Sequence, residues 1–403
     1  MKETEIIRPF SSGFLSKFVF TPSIFPFKDS ELVEFDRELA VYEQTFLNPD
    51  IEKNLISKNE LLASFAISKA EDSQLTLKEA EEVYDLLRTD PEYDFIARKL
   101  ETKKSLTSRD YDRLEFFNIA KTFKKLNQAP FSIEVLTPIL IQTIHAELTK
   151  GLDIFQQYLP SFTIYHSGAW RDNDAIRVNE YAPAFFQEIP GSVKELIGWL
   201  KKYPTVSGIA VFHTALYALH PFNNGNKRVC RILEHLLLRA IGLNSKNLYS
   251  TSYYYHKQKA RYYKYLLYSL ERKNLNHFSV FMLEALMFSM FDVIATSLEV
   301  KRSEFIERQQ VNGPLRSALK PFVKHSEIQF KTIAGITRSK MARQTLVDAL
   351  RQAVSENMLF KREAGRATYY RLAFEAPETA TLKRWLDVAR NRLAFIPDDI
   401  KNF

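Results

Sequence analysis

Apolar residues recur at three- and four-residue steps along most of this chain, which is the spacing of one buried helix face. The first clear run is Leu32, Phe35, Leu39 and Tyr42. Further helical patterns cover residues 60–69, 77–88, 109–126 and 133–148, the last with Ser132 as its N-cap. They resume at 192–203, 206–219 and 227–241, and again from Tyr254 through Leu266. Residues 158–178 differ: Pro160, Gly168 and short aromatic and β-branched runs read as a hairpin. The most apolar window, 278–298, holds Glu284 and Asp292, so it reads as a buried helix and not a membrane span. Residues 1–30, with Pro9 and Pro22, read as an extended arm.

Between residues 327 and 372 the pattern becomes helix, tight turn, helix and two short strands. Residues 330–334 form the first helix and Gly335-Ile336-Thr337 the turn. Residues 339–355 form the second, and strands 359–362 and 368–372 flank Ala364-Gly365-Arg366. Asn312-Gly313-Pro314 punctuates the chain ahead of this region, and a domain boundary is placed near residue 300.

Composition sharpens this. The chain has 403 residues, enough for two or three domains, with 45% apolar and 26% charged residues, the balance of a globular protein. Eleven glycines are few, which favours long helices. A single cysteine, Cys230, rules out an internal disulfide and a cysteine-based zinc site, and suits a reducing cytoplasm. The N-terminus lacks the basic and apolar regions of a secretory signal, so a cytoplasmic location is expected, with export by a route needing no cleavable signal left open. The net charge of +8 is concentrated: residues 301–372 carry 15 Lys/Arg against 6 Asp/Glu, and the rest is near neutral. A polyanionic partner is therefore sought at the C-terminal segment.

The stretch richest in chemistry is His220-Pro221-Phe222-Asn223-Asn224-Gly225-Asn226-Lys227-Arg228, with Arg231 three residues on. Pro221 ends one helix, and a polar turn with Gly225 opens the next. The N–H groups of a helix start favour an anion. Asn226 adds an amide, and Lys227, Arg228 and Arg231 add charge, with both arginines on one helix face. An imidazole at the rim can take a proton from an attacking hydroxyl.

This stretch resembles the signature of the Fic family, His-Pro-Phe-x-(Asp/Glu)-Gly-Asn-(Gly/Lys)-Arg with a further arginine three positions later. The likeness extends over roughly residues 32–298. It implies a mainly helical core with a β-hairpin flap, resembled by Gly168-Ala169-Trp170-Arg171, Ile176 and Val178, that binds a target peptide by strand addition. It implies AMP transfer from ATP, with Mg²⁺ on the phosphates, to a Ser, Thr or Tyr hydroxyl of a target protein. His220 would be the general base, Phe222 the inward anchor, and Gly225 and Asn226 the anion hole. Lys227 would bind nucleotide phosphate too, Arg228 and Arg231 would hold the phosphates, and Tyr254, Tyr262 and Tyr263 would belong to the nucleotide-side helix. Family members often dimerise, so a homodimer is an expectation too.

Two positions depart from the family. Asn224 replaces the acidic metal ligand, which predicts a weakened Mg²⁺ site. Lys227 replaces the second glycine, as in toxins that transfer a terminal phosphate, so phosphotransfer stays open beside AMP transfer. The family's self-inhibitory helix, Ser/Thr-x-x-x-Glu-Gly/Asn, is matched only in part by Ser64 and Ser68, with Ser68 where the glutamate belongs and Glu71 as a substitute. The C-terminal pattern resembles a winged helix-turn-helix. Arg338, Lys340 and Arg343 on its second helix and Arg362 and Arg366 on the wing would then reach DNA, which also leaves open a DNA-binding regulator with a silent core. The expected domains are residues 1–110 (arm, helical extension and degenerate inhibitory segment), 111–300 (Fic core) and 301–403 (winged helix).

Overall fold

The structure, a computed structural model, describes residues 5–43, 49–70, 72–102, 104–160, 162–311 and 313–401. These fall into two compact units, Met1–Arg37 with Pro49–Ser289, and Glu38–Asn48 with Met290–Phe403.

In the first unit the helices are α1 (Asp29–Glu43, running on into the second unit), α2 (Pro49–Lys69), α3 (Leu77–Thr89), α4 (Phe95–Glu101), α5 (Ser108–Asn127) and α6 (Pro138–Thr149). Then come α7 (Ile189–Lys202), α8 (Val206–Leu219), α9 (Asn226–Ala240), α10 (Thr251–Lys257) and α11 (Lys259–Glu271). Starts are set by local chemistry. Thr76 and Thr107 form capping boxes with Glu79 and Asp110. The helix expected over 133–148 is split, because Pro138 lacks an N–H and fits only the first turn. Thr137 caps α6, and Ser132 caps only a short 3₁₀ turn at Ile133–Val135.

The centre of this unit is α8, buried at every residue except Ser207 and packed on α7 and α9. A fully buried Glu234 on α9 ties three helices together. It meets His213 Nδ1 of α8 at 2.5 Å and accepts from Tyr255 and Thr251 of α10. The N-terminal residues do not stay extended as an arm. They turn twice in 3₁₀ form and bury Phe10, Phe14, Phe18, Phe20 and Phe27.

The hairpin expected over 158–178 is not formed. Its described residues form no strand, with turns at 158 and 167–168 and a bend at Asp174, and their one isolated bridge joins Val178 to Tyr181. The reason lies in the partners its polar groups find. Tyr165 N–H goes to the Asp153 carboxylate and Arg171 N–H to the Pro221 carbonyl, so neither is left for a neighbouring strand.

Helix α12 (Asn276–Arg308) runs through the expected boundary near residue 300. It is long and apolar enough to cross a membrane by composition, and 83% of its apolar window is buried in the protein. The second unit continues with α13 (Gly313–Leu319), β1 (Glu327–Gln329), α14 (Phe330–Thr337), α15 (Arg343–Ser355), β2 (Leu359–Ala364) and β3 (Ala367–Leu372), then α16 (Pro377–Arg392) and α17 (Asp398–Lys401). The sheet is antiparallel, in the order β1-β3-β2. Leu319, Phe322, Ile333, Leu346, Leu350 and Leu372 share its core. Two boundaries differ from expectation. α14 continues through Gly335, because Ile333 and Thr337 are buried one turn apart and the Thr337 hydroxyl bonds back to the Ile333 carbonyl at 2.9 Å. The second helix then starts at Arg343, so Arg338 and Lys340 precede it instead of lying on it.

Candidate active site

The loop between α8 and α9 is built from the backbone outwards. His220 ends α8 in the left-handed region, φ 50° and ψ 61°, with its N–H on the Leu216 and Tyr217 carbonyls. That conformation costs a non-glycine residue about 1–2 kcal/mol. It turns the chain sharply, and Pro221 prevents helix continuation. The His220 side chain is half-buried, with its ring 5.3 Å from that of Tyr217 in an edge-on contact.

Below the loop, Asn226 makes reciprocal bonds with Phe222: Phe222 N–H donates to Oδ1 at 3.0 Å, and Nδ2 donates to the Phe222 carbonyl at 2.8 Å. Asn226 is buried, and its amide is committed to closing the loop. Phe222 is fully buried and stacks on His145 at 3.8 Å with ring planes 2° apart. His145 Nδ1 accepts from Gly168 N–H at 3.0 Å, and its Nε2–H donates to the Asn224 carbonyl at 3.1 Å. Burial pushes its pKa down to about 3, so the ring is neutral and its tautomer is set by these two partners. Gly225 sits at φ 79°, and a Cβ there would lie 3.3 Å from the His145 ring. Position 225 therefore takes glycine for both conformation and space.

α9 starts at Asn226 with no side-chain cap, leaving helix-terminal N–H groups at the loop. The three cations of its first two turns each meet a protein acceptor. Lys227 Nζ donates to the Ala70 carbonyl at 3.0 Å and lies 5.1 Å over the Tyr263 ring, turned away from the loop towards the end of α2. Arg228 is fully buried, paired with Glu115 of α5 at 2.8 Å and bonded to the Tyr165 hydroxyl at 3.0 Å. Arg231 donates to the Ala66 carbonyl at 3.0 Å and stacks 4.3 Å over Tyr262. Glu115 is itself held by the Tyr111 hydroxyl at 3.1 Å and the Ser68 hydroxyl at 3.3 Å.

The other expected residues divide. Tyr262 and Tyr263 join this cluster, with the Tyr263 hydroxyl on the Ala70 carbonyl at 2.6 Å. Tyr254 does not: it is buried among Phe281 and Phe288 and donates to Glu284 at 2.6 Å. Ile176 and Val178 lie half-buried on the extended segment. Ser64 is buried, and its hydroxyl has no hydrogen-bond partner among the described residues. Ser68, standing where an inhibitory glutamate is expected, instead donates to a glutamate supplied by α5. Glu71 lies outside the described residues.

The loop's donors fit a divalent cation poorly. Asn224 Oδ1 already accepts from Gly225 N–H at 2.8 Å, and no group of three His, Cys, Asp or Glu among the described residues could hold a metal. In the second unit Arg338, Lys340, Arg343 and Arg366 are exposed, whereas Arg362 is paired with Glu327 at 2.7 Å.

Glu115, His145, Tyr165 and the two α2 carbonyls escaped the sequence reading. Glu115 left one trace, a lone charge within the apolar run Leu114 to Phe117. A buried charge requires a partner, though its place in the chain does not say which.

Residues 135–238 match the model of the Fic/DOC family, about a quarter of the chain. A curated relative, "Probable protein adenylyltransferase aq_aa38" from Aquifex aeolicus (strain VF5), is 26% identical over 135 residues. That alignment covers 32% of this chain and 39% of the relative's length, so the chain matches well under half of it. Among solved structures, a Fic family protein from Desulfovibrio desulfuricans G20 matches with a TM-score of 0.50 at 17% identity, covering 87% of this chain and 98% of that one. A Fic domain containing signaling protein from Bacteroides thetaiotaomicron matches with a TM-score of 0.44 at 16% identity, over 64% and 97%.

Proposed function

We propose that the Fic-type domain transfers AMP from ATP to a Ser, Thr or Tyr hydroxyl of a target protein, with His220 as general base. The observation that carries this reading is the half-buried His220 at the left-handed end of α8, six residues ahead of the uncapped start of α9. In the proposed reaction the target hydroxyl oxygen attacks the α-phosphorus and the bond from Pα to the bridging oxygen of pyrophosphate breaks. Pyrophosphate leaves, and the hydroxyl proton passes to the imidazole. The N–H groups at the start of α9 would face the phosphates, where charge builds up. Arg231, held by a carbonyl and two aromatic rings, is the arginine best able to turn to a phosphate. Arg228 is neutralised by Glu115 and acts as a buried brace. No step is routed through Mg²⁺, because Asn224 is engaged within the loop.

The test is incubation with ATP labelled at the α- or the γ-phosphate, with a cell lysate as target source and His220→Ala as control. Protein label from the α-position that vanishes in the variant supports the proposal. Label from the γ-position alone identifies a phosphotransferase instead, the reading that Lys227 suggests. No label from either leaves the regulator reading.

For the second unit we propose a winged-helix module. The order α13-β1-α14-α15-β2-β3 and the surplus of positive charge support it. DNA contact would fall to the exposed Arg338, Lys340, Arg343 and Arg366, more than to Arg362, whose charge is taken by Glu327. Salt-dependent retention of the whole chain on duplex DNA tests this, and no retention at low salt ends it.

A further inference from the structure

The extended segment before α7 has almost no backbone pairing of its own, yet it lies directly against the loop that carries His220. One guanidinium makes the connection. Arg171 is 3% exposed. Its Nε–H donates to the His220 carbonyl at 2.8 Å. Nη1 donates to the Asn173 carbonyl at 2.7 Å and to the Asp174 carboxylate at 3.0 Å, and Nη2 donates to the Ala184 carbonyl. The backbone N–H of the same residue donates to the Pro221 carbonyl at 2.9 Å. Asp174 also accepts from Phe186 N–H at 2.8 Å, which holds the far end of the segment.

Burying a guanidinium for packing alone would be costly, and an apolar side chain would fill the space more cheaply. What arginine adds is a planar fork of five N–H groups in fixed directions. Here the fork joins three places: the start of the segment at Asn173 and Asp174, its end at Ala184, and the carbonyl of His220. That last acceptor matters most. The orientation of the His220 peptide is part of its left-handed geometry, and that geometry decides where the imidazole leaves the chain. Within residues 172–178 the backbone is held by side chains: Arg171 takes the Asn173 carbonyl, Arg177 takes those of Asp174 and Ile176, and the Ala175 N–H donates to Asn173 Oδ1. Asp172, Asn173, Ala175 and Arg177 are exposed, Asp174, Ile176 and Val178 are half-buried, and no ladder occupies them.

We propose that Arg171 is a positioning residue that ties the segment from Asn173 to Ala184 to the backbone of His220 and so fixes the orientation of the base. This rests on the transfer reading above. Nothing in it requires Arg171 to touch nucleotide or target.

The test uses the full chain with Arg171→Gln, Arg171→Lys and Asp174→Asn. Three quantities are measured: ATP affinity by calorimetry, kcat and KM for a labelled target, and the His220 imidazole signals by NMR of ¹⁵N-histidine protein. Arg171→Gln should lower kcat by roughly 10²-fold, the cost of about 1 Å of misplacement, and leave ATP affinity unchanged. Arg171→Lys should restore part of that loss, and Asp174→Asn should lower kcat less. The His220 signals should move in all three. Unchanged kcat and unchanged His220 signals overturn the proposal. If Arg171→Gln does not fold, Asp174→Asn decides by the same two measurements, since it leaves the guanidinium in place. A wild-type chain that transfers no AMP, but whose His220 signals move in the variants, would sink the transfer reading and keep the coupling.

Discussion

The loop after His220 and the extended segment at 172–178 lie side by side and are built in opposite ways. In the loop, Phe222, Gly225, Asn226 and Arg228 are all buried. Asn226, Asn224 and the Nε2–H of His145 all bond to the loop's own backbone. The segment exposes alternate residues and holds one bridge. Chemistry at a fixed distance needs the first kind of construction, because small misplacement is expensive. In the segment the backbone groups are taken one at a time by side chains, Arg171 on the Asn173 carbonyl and Arg177 on those of Asp174 and Ile176.

The contrast is broken most sharply from the loop side. Glu115→Ala leaves Arg228 buried without its carboxylate and should cost about 3–5 kcal/mol, read as a fall in the denaturation midpoint. A change under about 1 kcal/mol would mean that Arg228 finds water or turns outward.

Acid should loosen the same construction next. His145, under the loop, has its pKa held down to about 3 by burial, against an ordinary 6.5, and so has His235, which lies further along α9 against Asn127 and Phe123. The unfolded chain therefore binds more protons between those values. Their stabilisation is complete above pH 6.5 and is lost as pH falls towards 3, at roughly 2 kcal/mol for each ring by pH 5. Denaturant titrations at pH 7 and pH 5 check this, and a His145→Asn variant should show the shallower dependence. Equal dependence in the two proteins would show that His145 becomes charged without cost.

Gly225→Ala should cost roughly 1–2 kcal/mol, since a Cβ both meets the His145 ring and sits at a left-handed φ. A neutral result, measured by thermal melting, would mean that the loop yields more readily than its bonding suggests. Ile176→Ala, on the segment, should move stability by less than about 0.5 kcal/mol and act through KM for the target. A stability loss as large as that of Gly225→Ala would erase the contrast.

Much of this was legible along the chain. The helices from 192 to 241 follow from apolar spacing, and the His220 loop is contiguous in sequence, so its residues announce one another. The rest depended on distance or on groups with no letter code. Glu115 and Arg228 are far apart in the chain, and a carbonyl such as that of Ala66 looks the same at every residue. The hairpin reading erred because aromatic and β-branched runs report local preference, whereas Arg171 and Asp153 draw the polar groups elsewhere. At Gly335 the punctuation signal lost to the burial of Ile333 and Thr337.

The carbonyls of Ala66 and Ala70 that meet Arg231 and Lys227 belong to the main chain at the end of α2. A restraint of that kind is indifferent to which side chains α2 carries. Exchanging one residue type for another, proline apart, cannot delete it. Moving the point at which the helix stops, by a proline or by gain or loss of a residue, releases both cations together. Inherited change in this contact would then arrive as insertions and deletions near residue 70, in steps, and not through the gradual drift of single letters.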